Sequence, residues 1–148
     1  VDSSTVNPAF SREMAEECHK RQLAFVDTPV AGSKDPAENG ELLFLAGGDK
    51  QVIDQLDPYF QAMGKKYIHV GKHGMGTSLK MVFNLLLGQA MFAFSEGMNL
   101  GEWLGIDQHK LLDVLLQSPV VAPFISGMRS RLDGSTHRNN RRVSTCRQ

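Results

Sequence analysis

Cysteine is scarce in this sequence. The two present, Cys18 and Cys146, lie far apart with no C-x-x-C or Cys/His spacing. That excludes a disulfide framework and a cysteine-based zinc module, and reads as the unpaired thiols of a cytoplasmic protein. Excess charge is also missing, because sixteen basic residues balance sixteen acidic ones. A global footprint for nucleic acid or membrane is therefore absent. Of the five histidines only His69 and His73 are close, and two ligands do not make a metal site, so none is expected. No basic segment followed by a short apolar run opens the chain, so no signal peptide is expected. No G-x-x-x-x-G-K-[ST] phosphate loop occurs either. The one run long enough to suggest a membrane span, Leu79 to Met98, is interrupted by Lys80, Asn84, Gln89 and Glu96. Charge at a membrane centre is costly, so a buried helix is the better reading.

What is present is an alternation of strand and helix signals over the first half of the 148 residues. Val1–Thr5 reads as the end of a strand. Asn7-Pro8 supplies an N-cap and a proline at the first helical position, opening a helix to about Arg21. Leu23–Asp27 is a short strand, Val30–Ser33 a small-residue turn, and Lys34–Gly40 a polar loop or short helix. Leu42–Ala46 is a second strand closed by Gly47-Gly48. Asp49 caps a helix over Lys50–Met63, Gly64 stops it, and a strand over Tyr67–Val70 follows. The alternation predicts a mostly parallel, helix-covered sheet. Beyond Val70 the pattern is helical: a long helix from Thr77, one opening at Ile106-Asp107 and ended by Pro119, and a segment over Pro123–Met128. From Arg129 to Gln148 six arginines face one acid, Asp133, with too few apolar residues to fold alone. This stretch reads as a disordered tail; nucleic-acid binding is the weaker alternative because no aromatic is there to stack on bases.

The stretch Gly71–Glu96 organises the rest. A strand feeds a turn punctuated by Gly71, Gly74 and Gly76, and a mostly apolar helix follows, carrying Lys80 and Asn84 four residues apart. Positions i and i+4 share a helix face. An ammonium on an apolar helix must be paired, snorkel to water, or do chemistry, and burial readily tunes a lysine for general acid/base work. Strand, glycine turn and helix is also the layout of a dinucleotide-phosphate site. Here, however, Leu79 stands at the third glycine position of G-x-G-x-x-G, and no acid follows at the ribose-contacting spacing. The phosphate reading of this turn fails, so its glycines require another explanation.

Four stretches, in this order, make the chain similar to the β-hydroxyacid dehydrogenases. That family includes 3-hydroxyisobutyrate dehydrogenases and glyoxylate/succinic semialdehyde reductases. Asp2-Ser-Ser-Thr5-Val-Asn-Pro8 resembles the family's D-x-S-T-x-x-P, and Asp27-Thr-Pro-Val-Ala-Gly32-Ser33 its D-x-P-V-S-G-G. Ala37-Glu-Asn-Gly40 with Leu45-Ala-Gly-Gly48 resembles its A-x-x-G … A-G-G run, and Gly71-x-x-Gly74-x-Gly76-x-x-x-Lys80-x-x-x-Asn84 its catalytic motif. The resemblance runs from Val1 to about Phe124. The Lys34–Gly40 variant looks most like the glyoxylate/succinic semialdehyde reductase branch.

The resemblance implies an α/β fold: the C-terminal part of a Rossmann-like domain, with few strands and covering helices, followed by a long helix and the start of an all-α domain. The divisions expected are 1–72, 73–128 and an Arg-rich tail at 129–148. It further implies reduction of a small carboxylate-bearing aldehyde with NADP or NAD. Lys80 would be the general acid/base, Val30, Ala31, Gly32 and Asn84 would bind substrate, and Thr5 would lie beside the nicotinamide. Ala31 stands where the family has serine, removing one hydroxyl contact. The G-x-G-x-x-G half of the nucleotide domain is not in this stretch, so the chain reads as a member truncated at both ends. The alternative is a non-catalytic remnant that folds and binds at most a small carboxylate or a protein partner. In a chain so truncated the sheet edge near Val1 and the apolar faces of the long helix are expected to be exposed, which favours a homo-oligomer.

Overall fold

A computed structural model describes residues 1–132, which form an α/β arrangement of a small sheet and many helices. The chain divides into two compact units, Val1–Leu86 and a second beginning at Leu87. The first unit opens with α1 (Pro8–Lys20). Its cap is as expected: Pro8 occupies the first turn, and the Asn7 side chain accepts the Ala9 N–H at 2.8 Å.

The sheet is built around β3 (Leu42–Gly48). Two short strands, β1 (Val26–Asp27) and β2 (Val30–Ala31), both pair with it antiparallel. On its other edge β4 (Gly64–Gly71) pairs parallel. The expectation of a mostly parallel sheet is therefore corrected to a mixed one, and connection length explains it. Between β2 and β3 lies only α2 (Lys34–Glu38), a single short turn of helix that reverses the chain and returns β3 antiparallel. The pair α3 (Lys50–Gln55) and α4 (Asp57–Met63) is long enough to carry the chain back over the sheet, which a parallel partner requires.

Other boundaries moved for local reasons. Val30–Ala31, read as a turn, is strand, because it continues the β1 edge past Pro29. Pro29 has no N–H for the ladder, but its carbonyl accepts from Leu45 N–H at 2.9 Å. The helix expected over Lys50–Met63 breaks at Leu56, where Pro58 in the first turn of α4 cannot donate to the preceding turn. Asp49 caps α3 through Gln51 N–H at 2.7 Å. The core of this unit is Val26, Phe44, Ala46, Ile53 and Phe60. Its rings pack in tilted contacts, Phe44–Phe60 at 4.8 Å and, to the flanking Tyr67, Phe60–Tyr67 at 5.2 Å between centroids.

At the surface Asp54 joins α3 to β4, accepting from Lys50 Nζ at 2.6 Å and from Tyr67 Oη at 2.8 Å. Lys50 first, then Tyr67, holds the Asp54 carboxyl below its ordinary range. A depressed carboxyl contributes stability that is fully present above its unfolded pKa and lost as pH falls through the lower folded value. In a carbon-13 NMR titration, Tyr67→Phe should raise the Asp54 midpoint towards the ordinary carboxylate range. An unchanged midpoint would show that Lys50 alone sets it.

The long helix α5 (Met75–Trp103) crosses from the first unit into the second. It is the one helix among the described residues long and apolar enough to cross a membrane by length and composition. The reading of this run as a buried helix is corrected and the exposure expected of its apolar faces in a truncated chain is met, because Met81, Val82, Leu85, Leu86 and Phe92 are each more than half exposed. In the second unit α6 (Gln108–Gln117), capped by Asp107, contributes Leu112 to a small cluster with Phe94 and Ile125. Ile125 lies on α7 (Pro123–Ser126), and α8 (Arg129–Leu132) ends the described chain. The tail expected from Arg129 thus begins with one helical turn, and its remainder, 133–148, lies outside the described residues.

Candidate active site at the start of the long helix

The start of α5 lacks a capping side chain of its own, because the residue before Met75 is Gly74. A helix begins with N–H groups that have no partner inside it. Asp27, at the end of β1 and 1% exposed, supplies the missing acceptors from 47 residues away. One carboxylate oxygen accepts Gly74 N–H at 2.7 Å, and the other accepts Thr77 N–H at 2.9 Å and Thr77 Oγ1–H at 3.1 Å. A carboxylate also suits the positive end of the helix dipole. With its proton directed to Asp27, the Thr77 hydroxyl accepts from Ser11 Oγ on α1 at 3.0 Å. Ser11 and Thr77 are both fully buried.

This arrangement explains the glycines of the turn. Gly74 has φ +82°, a left-handed conformation that glycine adopts without penalty. Gly76 lies so close to the sheet that a Cβ there would stand 2.1 Å from Leu45 O and 2.8 Å from Asp27 O. The glycines let the helix start directly over β1 and β3. They do not form a phosphate cradle, because Asp27 already occupies the N–H groups a phosphate would need.

Every sequence-identified site residue lies in the first unit. Lys80 is half-buried on α5, one turn past Thr77. Its ammonium has no hydrogen-bond or ion-pair partner among the described residues. Asn84 follows one turn later and is exposed. Val30 and Ala31 are half-buried in β2, paired with Phe44 and Leu43. In an antiparallel pair successive residues alternate between facing the partner strand and facing away. One of these two N–H groups is therefore committed to β3 and the other is directed outward. Gly32 has φ +137°, and a Cβ there would meet Leu42 Cδ2 at 2.8 Å. Thr5 is exposed, on a segment tied to β1 by Asp2 N–H to Val26 O at 3.0 Å and Thr28 N–H to Asp2 O at 2.7 Å. A Ser3–Thr28 hydroxyl contact at 3.0 Å adds to that tie.

Residues 26–28 are thus a hub. The 2–8 stretch bonds to them, 27–33 begins in them, Gly47 and Gly48 pair with them, and the turn before Lys80 hangs from Asp27. Sequence reasoning missed the roles of Asp27, Ser11 and Thr77. The available signal was a helix opening on glycine, which has to find its cap elsewhere. The two neighbouring histidines are engaged with backbone: His73 Nε2 with Phe25 O at 2.9 Å, and His69 Nε2 with Gly48 O at 3.0 Å. A cleft of about 520 Å³ beside α1, bordered by Arg12, Lys72 and His73, contains none of the sequence-identified residues.

Residues 1–71 match the NAD binding domain of 6-phosphogluconate dehydrogenase. Glyoxylate/succinic semialdehyde reductase 2, chloroplastic, of Arabidopsis thaliana is 37% identical over 126 residues, which are 85% of this chain and 35% of that protein. Human mitochondrial 3-hydroxyisobutyrate dehydrogenase is 36% identical over 118 residues, covering 80% of this chain and 35% of that one. Among solved structures, 3-hydroxyisobutyrate dehydrogenase from Salmonella typhimurium aligns with a TM-score of 0.80 at 28% identity, over 89% of this chain and 47% of its own. The Mycobacterium tuberculosis enzyme, solved with L-serine, aligns with a TM-score of 0.72 at 30% identity, covering 82% and 42%. The chain therefore spans between a third and a half of the length of these relatives.

Proposed function

We propose that this chain, which belongs with the 3-hydroxyisobutyrate dehydrogenases and glyoxylate/succinic semialdehyde reductases in the NAD-binding family of 6-phosphogluconate dehydrogenase, carries the proton-transfer and carboxylate-binding elements of a semialdehyde reductase. The observation that carries this reading is the hub at residues 26–28. The first, second and fourth motif stretches and Gly47-Gly48 of the third meet there, and the helix bearing an unpartnered, half-buried Lys80 is anchored to it.

In this reading the substrate is a small aldehyde bearing a carboxylate. The outward N–H of the Val30–Ala31 pair and that of Gly32 receive the carboxylate, at a place where small residues permit close approach. Lys80 Nζ donates a proton to the carbonyl oxygen as the carbon is reduced, and takes it back in the reverse direction. Before the transfer the ammonium also stabilises charge building on that oxygen. Asn84, one turn on, holds the substrate beside Lys80. Bound NAD(P)H supplies the hydride. Thr5, exposed and with no side-chain partner among the described residues, would face the nicotinamide end of that cofactor in this reading. The start of α5 does not fit its pyrophosphate, because Asp27 occupies it.

The direct test is a fluorescence titration of NADPH into the purified chain. Saturation on the order of 10 μM, equivalent to about 7 kcal/mol, would support the reading. Absence of binding up to millimolar cofactor would overturn it for this stretch of chain.

A second reading is favoured by the exposed apolar residues of α5, Met81, Val82, Leu85 and Leu86. Here the chain folds and self-associates through such surface without turnover, binding at most a small carboxylate or a protein partner. Light scattering is expected to give a dimer or larger species under either reading, and a clean monomer would defeat self-association.

A further inference from the structure

We propose that Asp27 is a positioning residue that fixes the separation between Lys80 and the carboxylate-binding segment Val30–Gly32. The idea rests on the reductase reading for its purpose, but its geometry stands without that reading. Asp27 lies three residues before Val30, on a strand locked to β3 by the pairs Val26–Gly48 and Asp27–Gly47. Its carboxylate grips the other partner of the reaction at Gly74 and Thr77, with Thr77 three residues before Lys80. One rigid side chain thus spans the two halves of the site.

Several features hold the link still. Both carboxylate oxygens are engaged, in different directions, by backbone N–H groups that cannot rotate away. The Thr77 hydroxyl, which bonds Asp27 and meets Ser11 on α1, adds stability to the buried cluster, while the two backbone N–H bonds alone set the position of the helix start. Gly47 and Gly76 leave no slack around them: a Cβ on Gly47 would stand 2.7 Å from Asp27 Oδ1, and one on Gly76 would stand 3.0 Å from Gly47 N. A cap from position 74 itself is closed, because its φ of +82° suits glycine and a Cβ there would stand 2.9 Å from Pro8 O. Capping from β1 instead makes the start of the helix move with the carboxylate-binding segment. Displacements of about 1 Å between reacting groups cost on the order of 10²-fold in rate, so such a link has consequences for turnover.

Asparagine in place of Asp27 retains one acceptor oxygen and turns an NH₂ against the second N–H. Valine in place of Thr77 keeps both backbone bonds and removes only the hydroxyl. The two variants therefore separate positioning from stability. The experiment is a pulsed-EPR distance measurement between spin labels at Ser33→Cys and Val82→Cys, both at exposed positions, with Cys18 and Cys146 replaced by serine. The parent should give one narrow distribution. Asp27→Asn should broaden it at least twofold, whereas Thr77→Val should lower the melting temperature and leave the width unchanged. An unchanged width in Asp27→Asn overturns the proposal, as does equal broadening in Thr77→Val. Should Asp27→Asn fail to fold, Asp27→Glu decides. Its extra methylene should shift the mean distance with the fold intact, and an unshifted mean overturns the proposal. Glyoxylate reduction by NADPH is then assayed in the same variants. A parent without turnover defeats the reductase reading while the distances still decide the role of Asp27. In an active parent, Asp27→Asn should lower kcat about 10²-fold, and Thr77→Val should leave it within threefold; a kcat unchanged by Asp27→Asn counts against positioning.

Discussion

Lys80→Ala should lower the kcat for succinic semialdehyde or glyoxylate reduction by about 10²- to 10⁴-fold, the usual contribution of a positioned general acid. The reduced carbonyl becomes an alkoxide unless a proton reaches it, and Lys80 is the half-buried ammonium at this end of the first unit. With no carboxylate or carbonyl partner among the described residues, its proton is available to a ligand. Lys80→Arg should restore little of the rate. A guanidinium keeps the charge but does not give up a proton near neutral pH, so KM should stay closer to the parent value than kcat. Steady-state kinetics on the two variants check this. Turnover in Lys80→Ala within threefold of the parent would remove Lys80 from the chemistry.

Gly76→Ala should be the most damaging single methyl addition in the first unit. The added carbon would stand 2.1 Å from Leu45 O, 2.8 Å from Asp27 O and 3.0 Å from Gly47 N, all of them backbone atoms that cannot swing aside. Relief requires the helix to lift off the sheet, which breaks the Asp27 bonds to Gly74 and Thr77. We expect a loss of about 3 kcal/mol, at the upper end for overpacking. For a unit of this size that is a fall in melting temperature of more than about 10 °C. Gly88→Ala is the control, because a Cβ there meets nothing within 4 Å. On an exposed helical site the same methyl should stabilise by about 0.5–1 kcal/mol through helix propensity alone. Thermal melts of the two variants should move in opposite directions. A shift of similar sign and size in both would show that close packing at Gly76 is not what its glycine provides.

Much of the first unit was legible because its signals are local. Asn7-Pro8 and Asp49 announce helix starts through side chains that reach the next turn, and both cap as read. Less was legible where two elements of different sequence distance compete. The Val30–Ala31 segment carries small residues that suit a turn, yet a free edge on β3 made it a strand. The apolar length of α5 suggested burial, but periodicity reports a helix's own faces and says nothing of whether another surface covers them. Lys80 and Asn84 stood out by their spacing on one helix face and took their expected roles from the family resemblance, whereas the groups that anchor their helix were not singled out.

By itself the sequence determined most of the element order, β2 and the break between α3 and α4 excepted, together with the starts of α1, α3 and α6, the family motifs and the residue types available for proton transfer. These depend on contacts within a few residues, which a linear reading samples directly. Only the tertiary structure decided the strand directions, the purpose of Gly74 and Gly76, and the capping of α5 by Asp27. The physical reason is that an unsatisfied helix terminus constrains what its partner must be, an acceptor, but not where along the chain that partner lies. Here it lies 47 residues away and becomes a neighbour only when β1 pairs with β3 and the helix starts above them.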